Sequence, residues 1–164
     1  MLPILLLVTT VVTLEPTASP RLPEYPHVRT SDARLGRLIV EATRRSPTFA
    51  ALYSRLQDTD VILFVEPSRE LGQNLSGRLV FLSATPLVRY LRAEVRADLP
   101  HTDMISTIAH EMQHALEIAD ARLVRDQGSM ALFYGHIGLS ERKHVFETDL
   151  AQAVARKVRR ELLA

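Results

Sequence analysis

Cysteine is absent from the 164 residues. That excludes disulfides, a thiol nucleophile and any cysteine-based zinc or iron–sulfur site. Tryptophan is absent as well, and aromatic residues make up only 5%, so a buried core must be aliphatic. Charge of one sign is not in excess. The formal net charge is +1, which gives no global field to gather nucleic acid or an anionic membrane surface. Lysine is nearly missing; only Lys143 and Lys157 occur, and the other basic residues are arginine. What remains is a globular balance of 46% hydrophobic and 24% charged residues, in a length that suits one ordinary domain.

The N-terminal stretch reads differently from the rest. Leu2–Leu14 carries no charge and only one proline. It is shorter than the about 20 residues of a bilayer-spanning helix and suits the apolar region of a secretory signal peptide. Thr17, Ala18 and Ser19 supply small residues near a cleavage point. Residues 1–19 are therefore expected to be a signal peptide, and the protein to be exported, periplasmic or secreted, with no membrane span in its mature form. Pro16, Pro20, Pro23 and Pro26 mark an extended linker, set at 20–30, which leaves 31–164 as the folded domain.

Within the domain, Ser31 and Asp32 predict a helix start, and Leu35, Leu38, Ile39 and Ala42 share a face as far as about Arg45. Ser46–Pro47 opens a second helix to about Gln57. Val61–Val65 is a short unbroken apolar run and predicts a buried strand, followed by a loop from Glu66 to Gly77. Arg78–Ser83 and Val88–Ala97 predict two further strands. After Pro100 a helix capped by Thr102 or Asp103 is expected to run to about Arg125, then a glycine-containing stretch, then a last helix from Ser140 to about Leu163.

The chemistry sits in the helix after Pro100, where His110-Glu111-Met112-Gln113-His114 forms an HExxH motif. Histidines four apart stack on one helix face, so both imidazoles can reach one metal ion. Glu111 lies beside them, placed to reach a water at the metal and not the metal itself. The neighbouring Ile105, Ile108, Ala109, Met112, Ala115 and Ala119 make that helix amphipathic, so the histidines stand at the edge of a buried face.

A catalytic zinc site needs a third protein ligand. Asp120 falls ten residues after His110, where the metzincins carry theirs. That branch needs a glycine at the position held here by Glu117. With the helix continuing, Asp120 lies about 15 Å further along its axis, and it is set aside. Glu147 is the better candidate: on a helix it shares a face with Leu150, Ala151, Val154 and Val158, and a lone carboxylate on an apolar face is costly unless paired or metal-bound. His144 is an alternative ligand, and an arginine an alternative partner for Glu147. Glu117, on the face of the two histidines, either accepts a ring N–H from one of them or pairs in solvent with Arg122. Tyr134 and His136 are weaker candidates for stabilising an oxyanion.

The stretch from Tyr90 to Leu162 resembles short bacterial HExxH proteins of the gluzincin branch of the zincin metallopeptidases. The likeness rests on RYLRAEV at 89–95, HEMQHALEIA at 110–119 and Phe146-Glu147-Thr148. It implies zinc on His110, His114 and Glu147, with Glu111 as general base, and hydrolysis of a peptide or protein substrate. Gluzincins of the thermolysin kind carry an aspartate four residues after the third ligand; here that position is Ala151, so support for a ligand histidine must come from elsewhere. The implied fold is α+β and zincin-like. A small, mainly antiparallel sheet would pack against helices, and the C-terminal helix would carry the third ligand. A sheet edge, from Arg78–Ser83 or Val88–Ala97, could hold an extended substrate. The rival readings are a non-catalytic zinc-containing binding protein of the same fold and hydrolysis of a non-peptide amide. No nucleic-acid partner is expected.

Overall fold

A computed structural model describes residues 26–72, 74–137 and 147–164. In chain order the elements are β1 (Val28–Arg29), α1 (Ala33–Arg45), α2 (Pro47–Gln57), β2 (Val61–Ser68), β3 (Gly77–Ala84), β4 (Arg89–Arg96), α3 (His101–Asp120), α4 (Gln127–Ile137) and α5 (Asp149–Leu163). The fold is α+β. The expectations placed on residues 1–25 and on His144 lie outside the described residues. Among the described residues no helix is long and apolar enough to cross a membrane.

Local chemistry sets the first two helices. Asp32 caps α1 by accepting from the Leu35 N–H at 2.8 Å, and Leu35, Leu38, Ile39 and Ala42 are buried. Ser46 ends α1 and starts α2 in one residue: its N–H donates to the Ala42 carbonyl, and its hydroxyl accepts from the Phe49 N–H. Pro47 follows at the first helical position, where its missing N–H costs nothing.

The sheet corrects one expectation. Its order is β1-β2-β4-β3. β1 pairs parallel with β2, and β2 parallel with β4; only β3 with β4 is antiparallel. The sheet is therefore mixed and not mainly antiparallel. Two facts account for the difference. The proline-rich stretch set aside as linker contributes β1, and the helices α1 and α2 form the crossover that brings β2 back parallel to it. β2 thus lies between two strands, and Val61, Ile62, Leu63 and Val65 are buried. Pro67 is tolerated in β2 because β1 pairs only with Leu63 and Phe64 and leaves that flank open.

β4 shows how the two layers form. Arg89, Leu91, Ala93 and Val95 are buried, whereas Tyr90, Arg92, Glu94 and Arg96 are only partly covered. The first set faces the helical layer; on the other face Arg78 and Arg92 both pair with Glu94. α3 is the central helix, packed on β2, β3 and β4 and on α2 and α5. Twelve of its twenty residues are buried.

α3 begins at His101, after Pro100 and without a side-chain cap, and ends at Asp120, short of the expected Arg125. Arg89 explains its end. This side chain is 1% exposed. It donates to both Asp60 carboxylate oxygens, at 2.9 and 2.6 Å. It also donates to the carbonyls of Ile118, Ala119, Ala121 and Val124. One guanidinium thus gathers the carbonyls at the helix end, two of which, Ile118 and Ala121, also accept a backbone N–H, beside the negative pole of the helix dipole. The segment after α3 bends around it.

The same contact makes a pH prediction. The hydrogen bonds from Arg89, aided by its charge, outweigh burial and hold the Asp60 carboxyl below its ordinary value of 3.8. A carboxyl depressed on folding contributes stability above its unfolded value, and that contribution is lost as pH falls through the folded one. Thermal unfolding of wild type and Asp60→Asn should differ most near neutrality and converge as pH drops below about 3.8. A gap that stays constant down to about pH 2.5 would show that Asp60 contributes nothing through its charge.

Candidate metal centre and cleft

Three of the four expected residues come from α3. His110 and His114 lie one turn apart, their Nε2 atoms facing each other at 3.1 Å and their rings nearly perpendicular. Glu147 approaches from the other end of the domain, its Oε1 3.4 Å from His110 Nε2. The sequence reading placed Glu147 in the C-terminal helix; instead it stands before the helix. Thr148 is the N-cap of α5, accepting from the Ala151 N–H, and Glu147 precedes that cap. Leu150, expected to share its inward face, is exposed.

Glu117 resolves toward the site. His114 Nδ1 donates to Glu117 Oε2 at 2.8 Å, and the Thr148 hydroxyl donates to Glu117 Oε1 at 2.8 Å. This bond keeps a proton on Nδ1 and turns Nε2 into the site, where it is the atom available to a metal once its own proton is displaced. The role an aspartate at position 151 would fill in a thermolysin-like protein is thus taken by Glu117. Thr148 ties that support to the residue beside Glu147. Asp120 lies at the far end of α3 and is not among the converging groups.

Burial sets the charge states. It pulls the His110 imidazole down to about 4, with repulsion from His114 adding to the effect, so His110 is neutral and its lone pair is free. Burial acts on His114 in the same direction, but the bond to Glu117 and the charges of Glu111, Glu117 and Glu147 outweigh it and raise the imidazole. Glu111 is 4% exposed. Burial pushes its carboxyl up to about 7, with His114 opposing and Glu147 adding. Burial likewise raises the Glu147 carboxyl.

His110, His114 and Glu147 form a group that can hold a metal ion, their donor atoms all within 4.8 Å of one another. The fit can be tested on the structure itself. Glu147 Oε1 is buried and has no hydrogen-bond partner among the described residues, an expensive state for a carboxylate oxygen. It lies with the Nε2 atoms of both imidazoles, all within 4.8 Å of one another. The 3.1 and 3.4 Å separations bracket the about 3.3 Å expected between donors each about 2.05 Å from one four-coordinate ion. Two imidazole nitrogens and one carboxylate oxygen are a donor set that suits a borderline divalent cation, which would take the place of the proton favoured on His114.

The group lines a cleft of about 330 Å³ between α3 and β3, with Glu111, Thr107, Gly77 and Tyr134 also on its walls. Gly77 is a residue the sequence reading passed over. A Cβ there would lie 2.5 Å from Glu111 Oε1 and 2.7 Å from Thr107 Cγ2, so only glycine lets the strand main chain lie against the carboxyl. Nothing in the local sequence distinguishes it from an ordinary turn glycine. β3 is an edge strand; β4, the other candidate edge, is paired on both sides.

Tyr134 and His136 belong to α4, not to a loop. Tyr134 is buried, its ring edge-on to His114 at 5.4 Å, and its hydroxyl donates to the His114 carbonyl at 3.1 Å. It braces the ligand from below, and burial raises its phenol above the ordinary value. His136 is exposed, bonds the Leu132 carbonyl of its own helix and does not line the cleft. Comparison with family models, with curated proteins and with solved structures gives no match.

Proposed function

We propose that this chain is a zinc-dependent peptidase of zincin-like fold, with His110, His114 and Glu147 as metal ligands and Glu111 as general base. The observation that carries the reading is one juxtaposition. The three-residue metal group lies in a cleft against an edge strand, with the buried Glu111 carboxyl between them. Zinc held there would supply Lewis-acid polarisation of the scissile carbonyl and a lowered pKa for a coordinated water. The chain does the rest. Glu111 takes a proton from the attacking water and passes it to the leaving nitrogen, so an amine departs and not an amide anion. Glu117, held by Thr148, keeps His114 oriented. The β3 edge offers main-chain hydrogen bonds to an extended peptide.

The test starts with metal content. The purified chain should carry about one zinc, as a single three-ligand site implies. His110→Ala or His114→Ala should abolish that occupancy, and Glu147→Ala should lower zinc affinity by removing the anionic donor. Full zinc in the His110→Ala, His114→Ala double variant refutes the site. Wild type that binds zinc yet cleaves nothing in a broad peptide library moves the non-catalytic zinc protein ahead. Cleavage confined to small amides points to the non-peptide reading.

A further inference from the structure

The β3 edge is free over a short length, and its limits fall at identifiable atoms. The Arg96 N–H donates to the Ser76 carbonyl, and the antiparallel register then sets Arg78 opposite Glu94 and Val80 opposite Arg92. In such a ladder bonded and unbonded pairs alternate. Ser76, Arg78 and Val80 therefore turn their main-chain groups toward β4, and Gly77, Leu79 and Phe81 turn theirs outward. The outward Phe81 N–H is already taken: it donates to Gln127 Oε1, on the first residue of α4, at 3.1 Å. The register shift between Phe81 and Ser83 puts a bulge at the same place, after which β3 pairs on with β4 as far as Ala84. A bulge changes the direction in which the following main-chain groups point. The Gln127 contact thus caps the edge at Phe81 and leaves Gly77 and Leu79 as the open pairing positions at this end.

The reactive end is fixed by Gly77, whose main chain lies against the Glu111 carboxyl. We propose that Gln127 is a specificity-determining stop. It limits the site to peptides whose main chain is recognised over about three residues on the amino side of the scissile bond, those opposite Gly77 to Leu79, at about 3.4 Å per residue. The inference rests on the peptidase reading. A peptide added antiparallel, the more stable pairing, runs with its amino end from Gly77 toward Phe81. Its three residues beside the scissile bond lie along Gly77 to Leu79, and the residue two further on, which would pair with Phe81, meets the Gln127 amide. The substrate class that fits is a peptide whose scissile bond lies close to a free amino end, or a longer one held only by the residues beside that bond.

The experiment measures kcat/KM of the zinc-loaded full chain on nested peptides that share one cleavage site and are lengthened stepwise on its amino side. Each productive main-chain bond is expected to add about two- to tenfold. In wild type the rise should stop after about three residues, with later additions changing the rate by less than about twofold. Gln127→Ala frees the Phe81 N–H and should let the rate rise by one more step of about two- to tenfold once the peptide is long enough to face Phe81, about two residues further on. Gln127→Glu keeps the acceptor and should keep the plateau. The ratio of long to short peptide is read within each variant, so a general loss of activity does not mimic the effect. A wild-type rate that keeps climbing with length, or a plateau unchanged in Gln127→Ala, overturns the proposal while leaving the peptidase reading intact. Failure of every peptide to be cleaved by the zinc-loaded chain overturns the reading itself, and this inference with it.

Discussion

Glu111→Gln is expected to leave zinc at full occupancy and to cut peptide hydrolysis by about 10²–10⁴-fold, the usual contribution of a positioned general base. Glutamine matches the shape of glutamate and keeps its place beside Gly77, where a side chain larger than hydrogen on the strand would not fit. It removes only the ability to accept and return a proton. The substitution should not harm folding, because burial already drives the carboxyl toward its neutral form; the unfolding temperature should hold or rise slightly. Metal analysis, calorimetry and a rate on one cleavable peptide decide the matter together. Zinc lost along with activity would make Glu111 a ligand or a structural group. Activity retained within about tenfold would leave it without the role of base.

Arg89→Met should be the most destabilising single substitution proposed here. It deletes a buried cation that holds the Asp60 carboxylate and four main-chain carbonyls at the end of α3. Asp60 is partly exposed and can regain water, but each buried carbonyl left short of a donor costs about 1–3 kcal/mol, and a total of about 3–5 kcal/mol becomes a fall of roughly 10–20 °C in unfolding temperature for a domain of this size. Arg89→Lys should recover little, since one ammonium cannot span a bidentate carboxylate and several carbonyls at once. The measurement is thermal unfolding followed by circular dichroism. A drop of under about 3 °C in Arg89→Met would show that the network is replaced by water at little cost.

Arg89 also shows what a sequence hides. In RYLRAEV it is one basic residue in an alternating strand, and its four carbonyl partners lie about thirty positions downstream with no side-chain signature at all. The strand order was hidden for a related reason: parallel pairing depends on which strands a crossover unites, and β1 is two residues within a proline-rich stretch. α4 escaped because it is apolar nearly all round and contains two glycines, so neither a stripe nor a boundary marks it. The residues of the metal group fared better. His110, Glu111 and His114 are related by helical spacing alone, which is local and rigid. Glu147 could be picked out by its chemistry, but its position could not: Thr148–Asp149 is itself a capping signal that starts the helix two residues too late to include Glu147. Glu117 was readable to within two alternatives, and only the meeting of α3 with Thr148 chose between them.

That meeting has a consequence for how the protein is made. His110, Glu111 and His114 come together as soon as α3 forms, but their third companion and the hydroxyl that steadies Glu117 arrive only with residues 147 and 148. A nascent chain that has not yet delivered those residues holds two donors and an unsupported carboxylate, a poor trap for a cation. The centre is therefore completed late in synthesis, after the sheet and the first helices have emerged. A chain cut short before residue 147 carries the HExxH motif without the third member of the group.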